Sequence, residues 1–286
     1  MPSHWPSAQP LANASLMPEL PEVETTVRGL RAVLDGERLT HVEARRADLR
    51  WPFPVDLRQR MQGATVTSLG RRAKYGLIHT DRGDTMVFHL GMSGRWRIDP
   101  DEIGKHGHLV VETAGGTQLV LDDPRRFGSV DLVRTEAVDL YRGFVGMGPE
   151  PLDDAFTAGV LAKALEGRAA PIKALLLDQR IVAGLGNIYV CEALNMAGIA
   201  PGRAGGQIAT ARLERLVTAI KEVLAAAIEA GGSTLRDYAR PDGELGYFFK
   251  QWRVYGREGE ACGCGAPVRR RVDSGRSTFY CAKCQR

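Results

Sequence analysis

The stretch Met17-Pro18-Glu19-Leu20-Pro21-Glu22 sets an imino acid beside two carboxylates within one helical turn. A proline nitrogen is a nucleophile only as the first residue of a chain. There it is a secondary amine that can attack a carbonyl carbon and give an iminium ion. An α-amine titrates near about 7.7–8.0, against about 10.4 for lysine, so more of it is unprotonated at neutral pH. Inside a chain the same nitrogen is an inert amide. Proline is small, so Met17-Pro18 suits initiator-methionine removal. Residues 1–17 are therefore expected to be an extension absent from the active protein, with Met17 the true initiator. Glu19 and Glu22 lie one turn apart beside that nitrogen, as proton shuttling requires. Both also suit the positive end of a helix.

A second group with chemical content is the cysteine set. Four of the five cysteines form Cys262-x-Cys264 and, with sixteen residues between, Cys281-x-x-Cys284. Two close thiol pairs at that separation fit a four-thiolate ribbon holding one structural Zn2+, with no open position for a substrate. Zinc would supply folding energy that so short a β-segment lacks. The first pair is tight, and Gly263 and Gly265 give its turn backbone freedom.

Three loops add donors. Gly184-Leu185-Gly186-Asn187 opens a helix; its glycines would let a ligand approach, and amides at a helix N-terminus bind phosphate. Asp123-Pro124-Arg125-Arg126-Phe127-Gly128 would set a guanidinium and a ring at a surface tip able to enter a base stack, or else pack Phe127 inward. Arg71-Arg72-Ala73-Lys74-Tyr75 reads as a basic strand, and His89-Leu90-Gly91-Met92-Ser93-Gly94 as a glycine-bounded turn exposing a methionine.

The elements that must position these groups fall into two kinds. Val23, Val27, Leu30 and Leu34 form one stripe, predicting a helix over Pro21–Leu34 that stops at Gly36. Between residues 38 and 135, short β-rich runs (Gly63–Leu69, Thr85–Leu90, His108–Glu112, Gln118–Leu121) alternate with turns, predicting a sandwich or barrel. After Pro149-Glu150-Pro151-Leu152 the pattern is helical: Val160–Leu165, Ile172–Leu177, Asn187–Ala197 and Ala209–Ala230. The last carries the stripe Leu213, Leu216, Ile220 and Leu224. From Tyr247 the chain turns aromatic, basic and cysteine-bearing, as a β-hairpin around a metal would.

At 286 residues and 44% hydrophobic, the chain can bury a real core, which excludes global disorder. No stretch approaches the roughly 18 apolar residues of a membrane span. Clustered cysteines without a secretion signal argue for metal over disulfides and for a cytoplasmic setting. The net charge is +4, but residues 248–286 hold nine Lys/Arg against three acids, which leaves the rest at −2. A basic end on a near-neutral body points to a polyanion such as nucleic acid.

Seven motifs then occur in order: PELPEVET (18–25), RRAKY (71–75), HLGMSG (89–94), DPRRFG (123–128), GLGNIY (184–189), GGSTLRDY (231–238) and GRSTFYC (275–281). Together they resemble the bacterial formamidopyrimidine-DNA glycosylases, from Pro18 to the C-terminus. Leu20 after Pro-Glu separates the chain from the endonuclease VIII branch, where glycine usually follows. The C-x-C pair departs from the family's usual C-x-x-C, which implies strained metal geometry.

The resemblance implies an α+β architecture. Residues 18–150 would form an N-terminal catalytic β-sandwich with a leading helix, 151–250 a helix–two-turn–helix domain and 251–286 a zinc finger. It implies a monomer that binds double-stranded DNA containing damaged bases in the cleft between, with no small-molecule cofactor and no membrane. Pro18 would attack the sugar C1′, Glu19 would move protons at the sugar ring, and Glu22 would tune the amine or accept its proton. Lys74 and Arg276 would grip phosphates and assist β and δ elimination. His106, Arg125, Arg168 and Asn187 would contact DNA. Met92 and Phe127 would wedge into the space a flipped base vacates, with Arg125 bonding the widowed cytosine. Residues 233–247, made mobile by Gly243 and Gly246, would close over that base. Two alternatives are a non-enzymatic lesion binder, if the extension is retained, and a glycosylase for oxidised pyrimidines.

Overall fold

A computed structural model describes residues 17–233, Pro241, Gly243 and 246–286. The leading helix α1 (Leu20–Leu34) carries Pro21 in its first turn and ends where Gly36 adopts a φ of +77°. Its stripe Val23, Val27, Leu30 and Leu34 is buried against the sandwich core. Leu20, at its start, belongs instead to the core of the helical half. One helix therefore spans both halves of the molecule.

Eight strands follow. They are β1 (Leu39–Ala44), β2 (Val66–Arg72), β3 (Tyr75–Thr80), β4 (Asp84–His89), β5 (Arg95–Ile98), β6 (Gly107–Thr113), β7 (Gln118–Asp122) and β8 (Ser129–Arg134). They form two four-stranded antiparallel sheets, ordered β1-β6-β7-β5 and β2-β3-β4-β8. Leu109, Leu119 and Trp96 from the first sheet meet Ile78, Met86 and Phe88 from the second. The expected runs correspond to β2, β4, β6 and β7. β2 starts later than expected and runs through Arg72, because Arg71 and Arg72 pair with Gly76 and Tyr75 across the next turn. β5 alternates arginine with Trp96 and Ile98 over only four residues, too few for a periodic signal.

The second half holds helices α2 (Ala158–Leu165), α3 (Ile172–Leu177), α4 (Asn187–Met196) and α5 (Thr210–Glu229). The α5 stripe Leu213, Leu216, Ile220 and Leu224 is buried, as its spacing requires. Residues 188–195 of α4 are buried on every side, so that helix shows no amphipathic period. A two-stranded hairpin, β9 (Arg269–Asp273) and β10 (Arg276–Tyr280), closes the chain. Among the described residues, no helix is long and apolar enough to cross a membrane.

Leu20 has no exposed surface and packs across the joint between halves. Leu20→Ala should cost about 2–5 kcal/mol, read as a lower urea midpoint with the metal content unchanged.

Candidate active site

A cavity of about 660 Å³ opens between the two halves, lined by Met17, Lys74, His89, Met92, Phe127 and Arg276 among others. Pro18 is buried beside Met17, which is 38% exposed and lines the cavity. In the chain as it stands the Pro18 nitrogen is an amide.

Glu19 caps α1 from an extended backbone and is only 3% exposed. Its Oε1 accepts the Ile188 N–H, 3.0 Å away, at the N-terminus of α4. Its Oε2 is buried with no partner among the described residues. Desolvation raises the Glu19 carboxyl to about 7, against the pull of Lys74 and the amides. The Glu19 side chain fills the space beside Gly186, where any Cβ would overlap it; a Cβ on Gly184 would likewise strike Leu20. The expectation that these glycines admit a ligand is therefore corrected. They admit the start of α1, and the Ile188 amide in the first turn of α4 is taken by Glu19 rather than left open to phosphate.

Glu22 is engaged as an acceptor at the start of α1. Its Oε2 accepts the Glu19 N–H at 2.9 Å, and its Oε1 accepts the Tyr189 hydroxyl at 2.5 Å and the Ser233 N–H at 2.8 Å. Burial raises its carboxyl while these donors hold it down. The carboxylate thus ties α1 to α4 and to the base of the 233–247 segment. That segment, expected to close over a flipped base, lies largely outside the described residues.

Lys74 occupies the two-residue turn between β2 and β3. Burial lowers its ammonium, opposed by Glu19 and reinforced by Arg276. His89, unassigned from sequence, lines the same cavity; burial, then Lys74 and Arg50, push it down to about 4. Its Nδ1 accepts the Gly91 N–H at 3.0 Å, so Nε2 carries the hydrogen of the neutral ring. No spacing rule marks such a histidine; only its burial does.

The tips 91–94 and 123–128 are locked together by Asp123, which has no exposed surface. Its carboxylate accepts from Ser93 Oγ at 2.6 Å and the Gly128 N–H at 2.7 Å, while Ser93 Oγ accepts the Arg125 N–H at 3.0 Å. Phe127 is 45% exposed, so it does not pack inward, and the Arg125 guanidinium lies 4.9 Å from its ring centre. His106 sits behind this tip, its carbonyl accepting the Asp123 N–H at 3.0 Å. Arg168 is exposed, with its Nε bonded to the Ala164 carbonyl at 2.9 Å.

Arg276 opens β10 after the turn Ser274-Gly275, whose φ values of +50° and +74° are those of a type I′ hairpin. The hairpin is held to the helical half by Asn187 Nδ2 on the Ser277 carbonyl at 2.9 Å and by Lys173 Nζ on Thr278 Oγ1 at 2.6 Å. Asn187 thus spends donors on protein, leaving its buried Oδ1 without a partner among the described residues. The thiols of Cys262, Cys264, Cys281 and Cys284 lie within 4.8 Å of one another, with Cys264–Cys281 at 3.6 Å and Cys262–Cys284 at 3.9 Å. Four thiolates about 2.3 Å from a tetrahedral zinc would stand about 3.8 Å apart, so the set fits that ion despite the short C-x-C loop.

The sequence and fold match known proteins over most of the chain. The formamidopyrimidine-DNA glycosylase N-terminal domain matches residues 17–130, and the formamidopyrimidine-DNA glycosylase H2TH domain matches 147–239. The chain belongs to the formamidopyrimidine-DNA glycosylase family. A glycosylase of this name from Rhizorhabdus wittichii is 76% identical over 270 residues, which cover 94% of this chain and 100% of the relative. One from Novosphingobium aromaticivorans is 66% identical over the same shares. The crystal structure of the MutM (Fpg) protein of Thermus thermophilus superposes with a TM-score of 0.85 at 42% identity, covering 94% of this chain and 98% of that one. A Lactococcus lactis Fpg variant bound to Fapy-dG containing DNA superposes at 0.87 with 34% identity, covering 94% and 100%. The resemblance read from seven motifs and the α+β architecture are both borne out.

Gly186→Ala should displace the Glu19 carboxyl from the Ile188 amide. We expect a loss of base excision of about 10²-fold with DNA affinity preserved, measured in single-turnover assays against binding titrations.

Proposed function

We propose that this protein is a bifunctional DNA glycosylase and abasic-site lyase. It removes oxidised purines, 8-oxoguanine and formamidopyrimidines, from double-stranded DNA. The observation that carries this reading is the buried Glu19 carboxyl with an unpartnered oxygen, next to Pro18 at the edge of a cavity that Lys74 and Arg276 share. Relatives bearing the glycosylase name over the same span, and Fpg complexes with damaged DNA, support it.

The chemistry begins when Pro18 is the first residue. Its amine lone pair attacks C1′ and the base departs with the glycosidic electron pair. Glu19, protonated below about 7, delivers a proton to the sugar ring oxygen as the ring opens. The secondary amine gives an iminium with no N–H to lose, so it stays cationic and accepts electrons. Loss of a C2′ proton then expels the 3′ phosphate (β elimination), and a second elimination expels the 5′ phosphate (δ). Lys74 and Arg276 would hold these phosphates as they leave, in a setting where water is largely displaced. Met92 and Phe127 fill the gap left by the flipped base, with Arg125, His106, Arg168 and Asn187 along the DNA. Zinc, held by the four cysteines, would stabilise the hairpin that presents Arg276. The protein would work as a cytoplasmic monomer on the bacterial nucleoid.

Two chains of this protein, one beginning at Pro18 and one at Met1, distinguish the readings. On an 8-oxoguanine duplex with borohydride, the Pro18 chain should give a covalent adduct and the Met1 chain none. An absence of adduct from the Pro18 chain defeats the enzyme reading.

The excision rate should be bell-shaped in pH: it rises as the Pro18 amine, titrating at about 7.7–8.0, loses its proton, and falls at higher pH as Glu19 loses the proton it holds below about 7. Glu19→Gln, which cannot titrate, should lack that falling limb and run about 10²–10⁴-fold slower. Metal analysis should find about one zinc per chain, and chelation should remove strand cleavage while the sandwich stays folded.

A further inference from the structure

Arg71 and Arg72 read as part of a basic strand in the sequence, yet both point at carboxylates. Glu150, from the junction between the two halves, accepts three hydrogen bonds. Its Oε2 takes Arg71 Nη1 at 2.7 Å, and its Oε1 takes Arg72 Nη1 at 2.7 Å and the Ala73 N–H at 2.5 Å. Arg71 also bonds Glu24 of α1 at 3.0 Å and the Ala73 carbonyl at 2.9 Å. Arg72 Nη2 reaches the Gly148 carbonyl at 2.7 Å.

Two of these contacts hold Ala73 itself, by its carbonyl and by its N–H. It is fully buried and holds a φ of +52°, a left-handed conformation that costs a non-glycine residue about 1–2 kcal/mol. The residue after Ala73 is Lys74. The junction that carries Glu150 is itself bonded to the loop leading into α4, through Gly148 N–H to the Gln179 carbonyl at 2.8 Å and Ala183 N–H to the Pro149 carbonyl at 2.9 Å. A continuous set of hydrogen bonds therefore runs from the helical half, through Glu150, to the backbone that aims Lys74.

We propose that Glu150 is a positioning residue for Lys74, fixing the strained 73–74 turn so that the lysine enters the cavity only when the two halves are docked. This rests on the reading that Lys74 assists elimination. A flexible four-carbon stem on an unclamped turn would spread its ammonium over many positions, and catalysis is sensitive to misplacement of about 1 Å. The arginines then serve as arms of the clamp rather than as DNA contacts.

The test is a double-mutant cycle on the chain beginning at Pro18, cutting DNA that already contains an abasic site. Glu150→Gln should slow strand cleavage about 10- to 100-fold with DNA affinity within about twofold. Lys74→Ala should slow it too, and adding Glu150→Gln to Lys74→Ala should cost nothing more, because the clamp acts only through the lysine. An equal loss in both backgrounds, or no loss from Glu150→Gln alone, overturns the proposal. Lys74→Ala without effect overturns the reading of the lysine, and this proposal with it. Should Glu150→Gln melt below the assay temperature, Arg72→Met, which removes one arm of the clamp, goes through the same cycle with the same deciding outcomes.

Discussion

The seating of the Glu19 carboxyl against the Ile188 amide, in the first turn of α4, is the contact on which the rest of the structure depends. Taking a carboxylate out of water is costly, by several kcal/mol per ion in real proteins. Here the cost is only partly offset by the Ile188 N–H at 3.0 Å, the positive end of a helix and the nearby Lys74, and the remainder raises the carboxyl to about 7. The amide and the helix end both lie outside the sandwich that buries most of α1. The helix must therefore reach out of one half and insert its first turn into the other, which is why Leu20 joins the helical core and Val23 the sandwich core. The reacting end of the chain ends up at the joint between halves, next to the cavity.

Around that joint, charge is sorted by pairing. Arg71 and Arg72 are neutralised by Glu24 and Glu150, while Lys74 and Arg276 face the cavity. A guanidinium bound to two carboxylates offers little to a phosphate, whereas a partly desolvated cation without one offers much. The basic composition of a segment thus says little about which of its cations meet DNA. The same sorting makes His89 a neutral ring, since two cations and burial both disfavour its proton.

The far wall of the cavity depends on geometry of a different kind. The type I′ turn at Ser274-Gly275 brings Arg276 to the head of β10, and Asn187 and Lys173 fasten that hairpin to the helical half. Beneath it, the four thiols converge closely enough for one tetrahedral ion, and the short C-x-C loop does not keep them apart. Glu192, with no exposed surface, accepts three successive amides of residues 253–255 and so aims the chain into this hairpin.

The sequence by itself determined the features that depend on near neighbours. The α1 and α5 stripes, the paired cysteines, the hairpin turn and the Pro18-Glu19 pair are all spacings of a few residues, and periodicity and turn chemistry report those directly. Seven such motifs in order were enough to identify the family. The tertiary structure alone decided what each polar group touches. Glu19 meets an amide 169 residues away, Glu22 one 211 residues away, and Ala73 a carboxylate 77 residues away. Those pairings turned Gly186 from a ligand-binding glycine into space for a side chain, and tied two arginines of a basic strand to carboxylates. The physical reason is that burial sets the worth of a hydrogen bond or charge, and burial is a property of the whole packed chain rather than of any local spacing.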